Sequence, residues 1–239
     1  MSTSKLYKKI VTCLELAGQK SPYVSDANEP DSRYRGYGVR APEMNGLIAG
    51  FRNEFKALPP SDSLELAIRL VESGYGEQKT VALFLFEKMV DYFEPDNFEL
   101  LDHIFRNLHG WSKIDAFTSL FLRQILLSHP EDCLHLVNQW NDDRDMWLRR
   151  ASVVLFTRKV ASSGRFTDTA LRYCDHLKFD SEDLVLKGVG WCLKDLRQCD
   201  KARVLPYIVD LRKQNVSSTI TLYALRGVQG KERKRILKS

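Results

Sequence analysis

The 239-residue chain has no uncharged run approaching the roughly 18 residues that a membrane-crossing helix needs. It has no H-E-x-x-H, no phosphate-binding G-x-x-x-x-G-K-[ST] and no G-x-S-x-G. These absences argue against a membrane protein, a zinc peptidase, a P-loop nucleotidase and an α/β-hydrolase. Five cysteines, Cys13, Cys133, Cys174, Cys192 and Cys199, are odd in number, scattered and without a C-x-x-C pair. They support neither a disulfide framework nor a zinc knuckle, and buried thiols are expected. His103, His109, His129, His135 and His176 lack metal-ligand spacing, so no metal is expected. Gly36 and Gly38 in RGYGVR do not follow a strand-like run, which favours a turn over a dinucleotide site. Near the start, Glu15 interrupts the apolar part of MSTSKLYKKIVTCLELAGQK and no small-residue cleavage site follows. No signal peptide is expected there, and the protein is placed inside the cell.

With 44% apolar and 28% charged residues the chain has the composition of a globular protein. Its net charge of +5 is unevenly spread. Residues 200 to 239 hold ten Lys/Arg and three Asp/Glu, a balance of +7, which leaves −2 for the first 199 residues. A polyanionic partner and a solvated basic tail both account for that polarity.

Alternating Val/Ile/Thr-rich runs bounded by hairpin turns are missing, and the periodicity is helical throughout. Helices are expected near 5–19, 42–57, 62–73, 76–92, 96–108, 111–128, 130–140, 145–161, 166–178, 182–198, 200–214 and 217–228. Asp62 with Glu65 and Asp96 with Glu99 have capping-box spacing, Pro42 and Pro130 suit helix starts, and SPYVSDANEPDSRYRGYGVRAPE reads as a long loop. From residue 62 the helices pair with a period of about 40 residues, that of HEAT-type units. The expectation is an all-α protein, an α-solenoid of HEAT-like antiparallel helix pairs in one domain, residues 1–239, with a concave binding surface. Second helices of successive pairs, starting near 76, 111, 145, 182 and 217, should line that surface.

Those second helices carry the informative residues. Trp111 and Asp115 are four apart in GWSKIDAF, so an indole and a carboxylate share one helix face. Arg149 and Arg150 interrupt the apolar helix of DMWLRRASVV, and Trp191 follows Lys187 by four in LVLKGVGWCLKD. Trp111, Arg150 and Trp191 are separated by 39 and 41 residues, about one repeat each. A helical tryptophan is more often core, the role expected for Trp140 and Trp147, and a lone Asp or Arg is more often solvated or ion-paired.

GWSKIDAF, MWLRRASVVLF and LKGVGWCLKD, with GYGVRAPEM near the N-terminus, resemble the AlkD-like family of bacterial DNA alkylation repair glycosylases over nearly the whole chain. Departures are Gly110, where many members have a further aromatic, Gly188 in place of a usual alanine, and a loosely matching TITLYALRGV. The loop before GYGVRAPE differs in length from the family's, so neither Tyr34 nor Tyr37 is assigned its N-terminal aromatic contact. The resemblance implies a catalytic cleft of Trp111, Asp115 and Trp191, with Arg150, and beside it Arg149 and Lys187, on the DNA backbone. It implies a monomer that needs no cofactor, acts on double-stranded DNA containing alkylated purines and, in a bacterium, is cytoplasmic and nucleoid-associated. It also implies excision of N3- or N7-alkylated purines without a base-flipping pocket. A noncatalytic helical scaffold that binds DNA structures or a protein partner is the alternative.

Overall fold

Apolar residues at three- and four-residue intervals shape the helices. In α1 (Thr3–Lys20), Leu6, Ile10 and Leu14 are buried while Lys5, Lys8 and Lys9 face water. The computed structural model describes residues 2–20 and 31–238, so the first part of the long loop, residues 21–30, lies outside the described residues. The chain forms two compact units, Met1–Ile125 and Leu126–Ser239. The first continues with α2 (Ala41–Gly50), α3 (Arg52–Ala57), α4 (Pro60–Val71), α5 (Gly76–Phe86), α6 (Phe98–Arg106) and α7 (Trp111–Phe117). A π-helical turn, Thr118–Leu122, then leads into α8 (Arg123–Ser128). The second unit contains α9 (Pro130–Asn141), α10 (Met146–Val154), α11 (Arg158–Ser163), α12 (Thr167–His176) and α13 (Asp183–Cys199). It ends with α14 (Lys201–Lys213), α15 (Ser218–Ala224) and α16 (Gly230–Leu237).

The architecture is all-α, as expected: among the described residues β pairing is confined to an isolated bridge between Arg35 and Tyr75. No described helix is long and apolar enough to cross a membrane. Neither capping box forms. Helix α4 begins at Pro60, because proline presets the helical φ and needs no amide partner in a first turn, and a 3-10 turn at Pro95–Asn97 precedes α6. The expected helix over 42–57 divides at Phe51, and that over 145–161 divides after Val154. Three cysteines, Cys133, Cys174 and Cys192, are buried, whereas Cys199 is exposed and Cys13 intermediate.

Successive second helices pack on one another within each unit. In the first, α5 packs on α4 and on α7. Phe86 stacks on Phe121 at 5.4 Å, and Phe93 meets Phe121 edge-on at 4.9 Å, which joins the end of α5 to the π-helical turn after α7. In the second, α13 packs on α10, α11, α14 and α15. Its contact with α15 requires Gly190: a Cβ there would stand 2.7 Å from the Cβ of Tyr223 and 2.9 Å from the Ile220 carbonyl oxygen. Trp140 and Trp147 are core residues, as expected.

The basic end is not simply a solvated tail. Ile236 of α16 is buried, Arg212 Nη2 donates to the Leu237 carbonyl at 2.7 Å, and Arg233 Nη1 donates to that of Leu225 at 2.6 Å.

Candidate functional site

In the first unit, Gly110 initiates the helix that carries the candidate residues. Its φ of 92° lies in the left-handed region that favours glycine, which accounts for the missing aromatic at this position. Trp111 opens α7 and leaves 48% of its surface in water, an unusual cost for the largest apolar side chain. One turn later Asp115 is only 9% exposed, between the core residues Ile114 and Phe117. Lys113, between the two, donates from Nζ to Thr80 Oγ1 on α5 at 2.9 Å. Lys79, beside Thr80, is buried and donates to the Val71 carbonyl at 2.8 Å. Burial, with help from the Lys113 charge, lowers its pKa to about 8.

The GYGVR segment is fixed onto the same α5. Glu77 accepts backbone N–H groups from Tyr37, Gly38 and Val39 at 3.1, 2.9 and 3.1 Å, and Tyr37 stacks on Tyr75 with ring centroids 4.3 Å apart. The Tyr37 hydroxyl accepts from Gln78 Nε2 at 2.7 Å, and burial pushes its pKa up to about 12. RGYGVR is thus a clamped irregular segment that begins at the Arg35 bridge, not the turn that was expected.

The second unit holds Arg149, Arg150, Lys187 and Trp191. Asp145 caps α10 by accepting from the Trp147 amide at 2.9 Å. Arg149 Nε and Nη2 donate to Asp180 at 2.6 and 3.1 Å, and its Nη1 reaches the carbonyls of Asp143 and Arg144. The Asp180 carboxylate raises the Arg149 pKa further. Arg150 is only 5% exposed, and its Nη1 donates to the Leu184 carbonyl. Gly188 packs beside it: a Cβ there would make ordinary contact with Arg150 Cγ at 3.5 Å and a tighter one with Val153 Cγ2 at 3.3 Å. Lys187 is exposed and pairs with Asp183 at 2.6 Å, which lowers the Asp183 pKa. Trp191 is half-buried, with the Arg158 guanidinium over its ring at 5.0 Å from the centroid.

Asp195 and Arg158 escaped the sequence reading. Asp195 stands one turn after Trp191, the same Trp-x-x-x-Asp spacing as Trp111 and Asp115, and that repetition was the available signal. It is buried, accepting the Arg158 amide at 2.8 Å and pairing with Lys194 at 3.0 Å. Arg158 had no comparable signal, because its partners lie on another helix.

The described residues form an all-α protein with two indole–carboxylate turns, and comparison with known proteins narrows the class. Residues 30–228 match the family described as DNA alkylation repair enzyme, so the chain belongs to that family. A solved structure of a predicted DNA alkylation repair enzyme from Enterococcus faecalis is similar at a TM-score of 0.69 and 16% identity, over 82% of this chain and 89% of that one. No curated protein matches the chain significantly.

Proposed function

We propose that residues 1–239 act as one DNA glycosylase domain that hydrolyses the N-glycosidic bond of N3- or N7-alkylated purines in duplex DNA. The observation that carries this reading is Trp111, held in water one turn from the nearly buried Asp115 in a chain of the DNA alkylation repair family. An alkylated purine of this kind bears a positive charge and leaves as a neutral base, so no general acid is required. The demand falls on the sugar, which becomes an oxocarbenium ion. At about 4 Å and an effective dielectric of about 20, one carboxylate facing one positive charge is worth roughly 4 kcal/mol, about a thousandfold in rate. Asp115 supplies that charge and orients the attacking water. Trp111 offers a ring face to the cationic sugar, worth about 0.5–2 kcal/mol, and excludes solvent, and Trp191 is proposed as the seat of a nucleotide sugar on the second unit.

The backbone contact falls to the exposed Lys187, and Arg150, 5% exposed and bonded to the Leu184 carbonyl, would have to leave that bond to reach a phosphate. Exposed ion pairs contribute only about 0–1 kcal/mol, so Lys187 can exchange Asp183 for a phosphate at small cost. Arg149 already spends four hydrogen bonds on Asp180 and two carbonyls, which favours a role in positioning α10 and Arg150 over a phosphate contact of its own.

The test is release of methylated purines from methylated duplex DNA. Release by the wild type, lost in Asp115→Asn while DNA binding persists, is the expected result. Binding without release in the wild type would make the protein a scaffold. Efficient excision of uracil, an uncharged base, would refute the charge argument.

A further inference from the structure

Arg158 sits in a conformation that its side chain disfavours. Its φ of 51° is in the left-handed region, where a residue with a Cβ pays a conformational cost. What holds it there is a buried carboxylate: Asp195, 8% exposed, accepts the Arg158 amide at 2.8 Å. The outcome is a guanidinium, itself exposed, standing over Trp191. Asp195 and Trp191 are four apart on α13, so one helix face both enforces the backbone geometry and receives the side chain. Nothing in the packing of α11 demands arginine, since Val160 and Ala161 supply its buried residues.

We infer that Arg158 is a DNA-phosphate contact, positioned by Asp195 so that it engages the backbone of the nucleotide seated on Trp191. This rests on the reading of Trp191 as the seat of a nucleotide sugar. An arginine fork suits a phosphate geometrically, and stacking against an indole removes some of the freedom that a long side chain would otherwise lose on binding. The electrostatics favour the same assignment. An uncompensated guanidinium beside a sugar acquiring positive charge would slow the reaction, whereas one neutralised by phosphate positions the sugar without that penalty. Arg158 is therefore a binding and positioning residue, not a catalytic one.

Arg158→Gly tests this cleanly, because glycine accepts the left-handed φ, keeps the amide bonded to Asp195 and removes only the side chain. The variant is expected to melt within ~4 °C of the wild type. Its affinity for undamaged duplex DNA should fall severalfold, with the slope of log K against log salt reduced by about 0.9, the equivalent of one phosphate contact. Arg158→Gln should lower the slope equally, and Arg158→Lys should retain it. In base release, Arg158→Gly should raise KM and leave kcat near that of the wild type. Wild-type affinity and slope in Arg158→Gly, or loss of the slope in Arg158→Lys, would overturn the assignment. A wild type that binds duplex without releasing bases would defeat the glycosylase reading, yet the salt slopes would still decide the role of Arg158.

Discussion

Each unit contains one Trp-x-x-x-Asp turn, and the two turns use the same residue pair differently. Trp111 opens its helix and is half in water, while Trp191 lies mid-helix, half-buried beneath the Arg158 guanidinium. Both carboxylates are nearly buried. Asp195 is engaged with an amide from α11 and with the neighbouring Lys194, so its charge maintains backbone geometry. Near Asp115, Lys113 donates to Thr80 on α5, and among the described residues no strained backbone amide is tied to α7 as the Arg158 amide is tied to α13. Identical local spacing thus serves a structural carboxylate in one unit and the proposed catalytic one in the other. Spacing fixes which face a side chain occupies, but not what that face meets.

The strongest way to break this contrast is to make one change in both turns. Asp115→Asn should reduce base release about a thousandfold, in line with the ~4 kcal/mol assigned to its charge. Asp195→Asn, measured in the same assay, should retain most kcat and instead lower the melting temperature. Equal kcat losses would erase the distinction.

A second difference concerns Lys79, near the first turn. Its folded pKa of about 8 lies below the ordinary value of 10.5, so between those values the unfolded chain holds a proton that the folded chain lacks. Stability therefore rises with pH across that window, by on the order of 3 kcal/mol, and the penalty is fully present below pH 8. Denaturant titrations should show this rise in the wild type and not in Lys79→Met. A parallel pH dependence in the two proteins would refute it.

The glycines before Trp191 sharpen the description of the second turn. Gly190→Ala should destabilise by about 1–3 kcal/mol through overpacking against Tyr223 and Ile220. Gly188→Ala meets neighbours only at 3.3 Å and beyond, and the gain in helix propensity of about 1 kcal/mol should offset the crowding. Thermal melts of the two variants check the difference. The smallest effect is expected at Trp111, where Ala should change stability by less than about 0.5 kcal/mol, since the ring is half exposed. Base release should nevertheless fall about tenfold, corresponding to ~1.4 kcal/mol. Trp191→Ala should lower both.

Much of the fold was legible because helical periodicity is local. The helices at 130, 166, 182 and 200 lie within two residues of expectation at each end, and Trp140 and Trp147 are core residues. Capping boxes were overread, because Pro60 and Pro95 start their turns before Asp62 and Asp96 can cap them. The end of the chain was underread: a strongly basic octapeptide becomes α16 through buried Ile236 and a hydrogen bond from distant Arg212, which charge patterning does not register. Of the candidate residues, Trp111, Asp115 and Trp191 were legible as spacings. The near-burial of Arg150 was not, because it depends on the Leu184 carbonyl, which a different helix brings to it.

The sequence alone determined the helical class and the placing of each tryptophan beside its aspartate, since the 3.6-residue turn brings positions four apart onto one face whatever surrounds them. Only the tertiary structure decided that Asp195 grips the Arg158 amide, that Arg149 is tied to Asp180 and that Trp111 stays in water. Those outcomes depend on which distant segment arrives at each face, and the chain's local geometry carries no record of that.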